Sequence, residues 1–342
     1  MEHEAPTPPP PAESTVRTQR GVTKFARGFA SDGGCLCCAP GVELVETAKA
    51  ASKSFRLGEV MVHCITDGGV TVPAAWMFNQ KRDNSTGRLL SWSQLSEEDM
   101  VSFFSDGKAP LSFGCTLVQC AGANIILDAS LGCVNPPIMP AMTLSRPLLD
   151  IRHTLESLGL TPLDINLVVH THMHRDHTGW NVVKDDEGNS IPLFLNAKHV
   201  VQQAEWAYWT SSDSLKTRVD FATYFAPLEA KGMIQLIDGH HSLCQEVSLQ
   251  LAPGHTPGHQ VVRIDGGSAD HIAYFVGDAF HQLAQICRPG WSPFFDWSPE
   301  TSALVREELL RKIISESALL ISPHFPFPGV LAVKQEGSEW SF

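Results

Sequence analysis

Positive charge is scarce in this 342-residue chain: 25 Lys and Arg stand against 37 Asp and Glu, for a formal net charge of −12. A surface field of that sign repels phosphate backbones and anionic lipid, which argues against a nucleic-acid partner and against a membrane partner. Charge of either sign is limited too, 18% against 43% hydrophobic residues, which excludes wholesale disorder and leaves enough apolar material for a large core. No run approaches the roughly 18 uninterrupted apolar residues of a membrane span. The N-terminus lacks the basic and apolar regions of a secretory signal, so a cytoplasmic location is expected. Behind Cys35-Leu36-Cys37-Cys38 there is no second C-x-x-C and no His pair at zinc-finger spacing, and that cluster is read as structural or incidental. The nine cysteines, odd in number and scattered, suit reduced thiols rather than a disulfide framework. There is no G-x-S-x-G elbow, and the glycines near the polar motifs read as turn residues rather than a phosphate cradle.

At roughly 150 residues per domain the length allows two domains or one large one. Residues 1–20 carry Pro6 and Pro8 to Pro11 among Glu, Thr and Ser, a composition too poor in apolar surface to order itself. Residues 1–55 are therefore taken as an N-terminal extension, disordered at its start, and 56–342 as the domain. From Val60 the text alternates between strands and helices, the pattern of an α/β protein. Val60 to Ile65 reads as the first strand of the sheet, ended by a turn at Thr66-Asp67-Gly68-Gly69. Cys115 to Gln119 and Asn124 to Asp128 read as two more strands. Between them lies a polar excursion, residues 79–107, a candidate lid with a capping box at Ser96-Glu97-Glu98-Asp99. Helices are expected over Ser145 to Leu158, with Leu148, Ile151, Leu155 and Leu158 on one face and Gly159 as the stop. Two more are expected over Asn196 to Trp209 and Ser298 to Ser315, the last with a Ser cap and Pro299 at its first position.

Histidine, at 15 residues, is where the chemistry concentrates. The apolar strand Ile165 to His170 runs straight into Thr171-His172-Met173-His174-Arg175-Asp176-His177-Thr178-Gly179. Extended backbone alternates faces, so His172 and His174 project to one side before the chain turns into a helix carrying Asp176 and His177. Three more apolar runs end the same way: Val247 to Ala252 before Pro253-Gly254-His255-Thr256-Pro257-Gly258-His259, Ile272 to Val276 before Gly277-Asp278, and Ala318 to Ser322 before Pro323-His324. The carboxyl ends of strands are where α/β folds assemble sites, so four such ends can meet at one point.

His-x-His-x-Asp-His, then Gly-His-Thr-Pro-Gly-His, then Gly-Asp, then a late His after a strand resembles the metallo-β-lactamase superfamily in content and order, from about residue 59 to the end. Asp67-Gly68, Leu127-Asp128, Leu158-Gly159-Leu160, Trp180-Asn181 and Ser322-Pro323-His324-Phe325-Pro326 look most like its branch of quorum-quenching lactonases and organophosphate (methyl parathion) hydrolases. The resemblance implies an αββα sandwich with a dinuclear site at one edge of the two sheets. It implies His172, His174 and His255 on one metal, Asp176, His177 and His324 on the other, and Asp278 bridging, with Asp176 and Asp278 as the catalytic carboxylates. Two divalent ions are implied, Zn²⁺ by choice, although Mn²⁺, Fe²⁺ and Co²⁺ accept the same ligands. Relatives in that branch are often dimers, and by analogy the resemblance implies a homodimer.

Two ions sharing a water lower its pKa toward about 7 and make hydroxide available at neutral pH, so no Ser or Cys nucleophile is needed. The other histidines read as supporting or incidental: His259 beside a ligand or in packing, His170 buried and hydrogen-bonded, His281 lining the pocket, His240 and His241 in a loop. Trp180, Phe280, Trp291, Phe294, Phe295, Phe325 and Phe327 are candidates for an apolar cleft wall or for ordinary core. With only Arg175 and Arg288 near the mouth, a neutral, moderately hydrophobic ester or lactone suits the site better than a glutathione or coenzyme A thioester. A glyoxalase II-like thioesterase, a mono-iron dioxygenase and a non-catalytic binding module on the same fold are the alternatives.

Overall fold

The computed structural model describes residues 43–45, 51–78, 80–82, 89–91, 97–104, 106–132, 143–146, 149–216 and 218–342. The Pro-rich start, Cys35 to Cys38 and residues 79, 83–88, 92–96 and 105 of the polar excursion lie outside them.

The chain first lays down β1 (Glu43–Val45), β2 (Ser52–Leu57), β3 (Val60–Pro73) and a small hairpin of β4 (Gln80–Arg82) and β5 (Leu89–Ser91). Next come β6 (Lys108–Cys120), β7 (Ala123–Leu127), β8 (Thr143–Arg146), β9 (Leu167–Val169), a second hairpin of β10 (Val182–Lys184) and β11 (Ser190–Pro192), β12 (Lys198–Gln202) and β13 (Ile234–Ile237). One sheet runs β1-β2-β3-β6-β7-β9-β12-β13, with β8 on β3; β7, β9, β12 and β13 are mutually parallel. The other takes β14 (His241–Ser242), β15 (Val247–Leu251), β16 (Gln260–Asp265), β17 (Ile272–Phe275), β18 (Leu319–Ile321) and β19 (Val330–Ala332) in that order. A last hairpin joins β20 (Lys334–Glu336) to β21 (Glu339–Ser341).

The two sheets pack face to face, as alternation of apolar residues on their strands dictates. Val62, Val118, Leu127, Val169 and Val200 of the first meet Leu249, Val262, Phe275 and Ile321 of the second in one buried cluster. On the outer face of the first sheet, Ile151 and Leu155 of the helix Ile151–Ser157 pack with Leu117, Ile126 and Val168. Against the second, Leu309, Leu310 and Ile313 of the helix Pro299–Ser315 cover Tyr274 and Leu320. The layers are αββα, as the resemblance implies.

Several expectations are corrected. The sheet begins with β1 and β2, not at Val60, and β2 straddles the boundary placed between residues 55 and 56. Thr66 to Gly69 is no turn: β3 runs through it, and its pairing with β6 slips between Thr66 and Gly68. A β-bulge, closed by the Gly68 N–H donating to Thr66 Oγ1 at 3.1 Å, uses the glycines to twist the strand and turn Asp67 aside. Asn196 to Trp209 is not one helix, because His199, Val200 and Val201 are buried in β12 between β9 and β13, and the helix starts only at Gln203. A short apolar run of this kind suits a buried parallel strand as well as a helix. Ser145 to Leu158 likewise divides: Ser145 and Arg146 belong to β8, and the helix starts at Ile151 behind an Asp150 cap that accepts from Arg152 N at 2.9 Å. Leu148 lies outside the described residues, and His241 sits in the short strand β14 rather than a loop. The helix Glu97–Phe103 and the Ser298 cap on Pro299–Ser315 are as expected.

Candidate metal centre

All four strand ends arrive at one edge of the sandwich. β9 delivers His172 and His174, and a short 3-10 helix, Arg175–His177, then carries Asp176 and His177. The segment after β15 brings His255, and a 3-10 turn after β17, Gly277–Ala279, brings Asp278. β18 is followed by His324.

Nε2 of His172 lies 3.0 Å from Nδ1 of His174, which lies 2.9 Å from Nε2 of His255. Oδ2 of Asp278 faces this trio, 3.1 Å from His255 and 3.6 Å from His172. Its other oxygen, Oδ1, faces a second group, 2.8 Å from His177 Nε2 and 2.9 Å from His324 Nε2. Those two nitrogens are 3.2 Å apart, and Asp176 Oδ2 lies 3.9 Å from each. Two nitrogens held at 2.0–2.1 Å by one tetrahedral zinc lie about 3.3 Å apart, close to the spacings of both groups. His172, His177, His255, Asp278 and His324 are buried, whereas His174, Arg175 and Asp176 are half-buried and form the mouth.

The far nitrogens of these rings are tied down. His177 Nδ1 donates to Asp128 at 2.7 Å, His255 Nδ1 to Asp296 at 2.9 Å, and His324 Nδ1 to the Ser112 carbonyl at 2.9 Å. Thr171 Oγ1 donates to Asp128 at 2.8 Å and accepts from His172 Nδ1 at 3.0 Å. Such bonds fix the tautomer and turn the opposite lone pair toward the centre. Glu205 braces the loops, accepting from Met173 N at 3.0 Å, Gly258 N at 3.1 Å and Trp209 Nε1 at 2.9 Å.

Burial holds His172 and His174 well below the usual imidazole range, leaving them neutral. Burial alone raises the Asp278 carboxyl, but the rings around it, His177 and His324 foremost, hold it well below the usual range. Burial pushes His259 down to about 3, and its neutral Nε2 accepts from Asp278 N at 3.1 Å, so it supports the carboxylate as expected of a neighbour. His170 is buried and meets His199 at 3.1 Å.

His281 sits closer in than its sequence position suggested, with Nε2 3.0 Å from Asp278 Oδ2. Of the aromatics named, Phe295 touches the centre, its ring 5.0 Å from that of His281 and 5.9 Å from that of His255. Trp180, Phe280 and Phe325 are core, and Trp180 donates to Asp67 at 2.8 Å. Arg288 lies over Phe103, and Arg218, which sequence reasoning passed over, lies over Trp209 beside His174. Asp296 and Glu205 were also missed, since a lone acidic residue in a loop or helix carries no motif; Asp128, at the end of β7, had strand position as its signal.

The family model described as metallo-beta-lactamase superfamily matches residues 115–324. An N-acyl homoserine lactonase AttM of Azorhizobium caulinodans is 31% identical over 112 residues, 31% of this chain and 38% of the relative. An N-acyl homoserine lactonase of Bacillus thuringiensis is 28% identical over 192 residues, 56% of this chain and 67% of the relative. The chain thus spans well under two thirds of the first relative. Among solved structures, AidC, described as a dizinc quorum-quenching lactonase, superposes with a TM-score of 0.67 at 20% identity, over 85% of this chain and 96% of its own. AbOPH, described as a hydrolase in the beta lactamase superfamily, gives 0.69 at 18% identity over 86% and 97%. With the fold, the strand-end histidines and the family match in agreement, the chain belongs to the metallo-β-lactamase superfamily.

Proposed function

We propose that this chain is a dinuclear metallohydrolase that opens a lactone or cleaves an ester of a neutral, moderately hydrophobic small molecule. His172, His174 and His255 hold one divalent ion, Asp176, His177 and His324 the other, and Asp278 both. The division of the Asp278 carboxylate, Oδ2 toward one trio and Oδ1 toward the other, carries this reading. The nitrogen and oxygen donor set suits zinc as it suits Mn²⁺, Fe²⁺ and Co²⁺, and the dizinc description of AidC favours zinc among them. The catalytic unit takes in β1 and β2 as well as residues 56–342, because β1 pairs with β2 and β2 pairs along its whole length with β3.

Bound divalent ions supply an acidified water and polarisation of the scissile carbonyl. The protein supplies the rest. Asp128 and Asp296 keep His177 and His255 aimed inward. Asp176, half-buried at the mouth, is placed to take the proton of the attacking water and return it to the leaving alkoxide. Phe295, half-buried beside the buried His281, offers an apolar face for an acyl group. A single-ion dioxygenase leaves part of this donor set unused, and here both halves are assembled.

Hydrolysis of a panel of acyl-homoserine lactones, aryl esters and S-lactoylglutathione by metal-loaded protein and by Asp278→Ala tests the proposal. Lactone or ester turnover that vanishes in the variant supports it. Equal rates on every substrate overturn it, and turnover of the thioester alone replaces it with the thioesterase reading.

A further inference from the structure

At the opposite end of the sandwich, three donors stand together that the histidine centre does not use. Cys120 closes β6, and the hairpin into β7 turns through Ala121 and Gly122, both at positive φ. Cys244 and Glu246 lie in the turn between β14 and β15, pinned by Leu243 N donating to the Val247 carbonyl at 2.9 Å. The two sulfurs are 3.7 Å apart, and the Glu246 carboxylate completes a group whose donor atoms lie within 4.8 Å of one another. Glu246 Oε2 is buried and has no hydrogen-bond partner among the described residues, an expensive state for a carboxylate oxygen. Two thiolates each about 2.3 Å from a tetrahedral zinc lie about 3.8 Å apart, whereas a disulfide requires about 2.05 Å. The observed separation, a thiol–thiol hydrogen bond, matches the edge of such a tetrahedron.

We propose that Cys120, Cys244 and Glu246 form a separate site for a thiophilic divalent cation of the zinc class, tying the first sheet to the second. Five residues of strand separate Cys120, opposite Ala123, from Asp128 beside the histidine centre, about 16 Å at 3.3 Å per residue. Cys244 is half-buried, which leaves the ion an entry path and a fourth position for water.

The test uses reduced, chelator-stripped full-length chain carrying Cys35→Ser, Cys37→Ser and Cys38→Ser, titrated with Co²⁺. A thiolate-to-cobalt charge-transfer band in the near ultraviolet is expected from this site and not from a sulfur-free histidine centre. It should disappear in Cys244→Ser, require at least ~10-fold more Co²⁺ in Glu246→Gln, and persist in His172→Ala. No band in the parent, or an unchanged band in Cys244→Ser, overturns the proposal. Glu246→Gln leaves both sulfurs in place, so it tests the site even if the cysteine variant fails to fold.

Discussion

Nδ1 of His255 donates to Oδ1 of Asp296 across 2.9 Å, with both groups buried, and Oδ2 of the same carboxylate lies 3.5 Å from the buried guanidinium of Arg306. Arg306 in turn donates to the Pro289 carbonyl and to Ser292 Oγ. Asp296→Asn removes the charge that orients His255 and balances Arg306. Metal affinity should fall 10- to 100-fold in a competitive chelator titration. Stability to urea should fall by about 3 to 5 kcal/mol, the cost of a buried charge left alone. Unchanged affinity means that His255 needs no such partner.

Asp67, set aside by the bulge in β3, gives a pH dependence. Burial raises its carboxyl from 3.8 to about 6, against the pull of hydrogen bonds from Gly132 N and Trp180 Nε1. The folded chain therefore holds this proton more tightly than the unfolded one. Its contribution to stability is fully present below about pH 4 and is lost as pH rises through about 6. Relative to Asp67→Asn, the native protein should lose about 3 kcal/mol of unfolding free energy between pH 4 and 7, two pKa units at 1.36 kcal/mol each. Urea titrations of both proteins across that range measure it, and a constant difference contradicts it.

Gly277 precedes Asp278 at φ +50, where a Cβ would lie 2.8 Å from His259 Nε2 and from Thr171 Cβ. Gly277→Ala should cost about 1 to 3 kcal/mol and displace the carboxylate shared by the two donor groups. Metal retention after gel filtration should drop along with thermal stability. Full retention would show that the turn tolerates a side chain and that the glycine does not set the position of Asp278.

His172 and His240 separate a donor from a bystander. Nε2 of His172 points into the centre, whereas His240 lies between β13 and β14. His172→Ala should lose metal and hydrolysis together, and His240→Ala should keep both, by elemental analysis and turnover. Equal losses would place the centre elsewhere.

The strand ends were legible because ligand-type residues followed apolar runs directly, and His172 and His174 could be assigned to one side from the alternation of extended backbone alone. The layers around the core were legible for the same reason, as at Leu309 and Ile313 on the last long helix. The β12 strand was not, since His199-Val200-Val201 is too short for periodicity to separate strand from helix, and only burial between two parallel neighbours decides it. Nor was the bulge at Asp67, where two glycines look the same whether the chain reverses or merely twists. Asp296 and Arg306 were invisible for a different reason. Their roles come from pairing over sequence distance in a buried space, which no local pattern encodes.

Anomalous-difference maps at the zinc edge, from crystals of the metal-loaded protein, test the central claim most directly. At the histidine edge of the sandwich, two peaks roughly 3.5 to 4 Å apart are predicted. One should lie among His172, His174 and His255, the other among Asp176, His177 and His324, with Asp278 between them. A single peak, or none at this edge of the sandwich, would contradict the account.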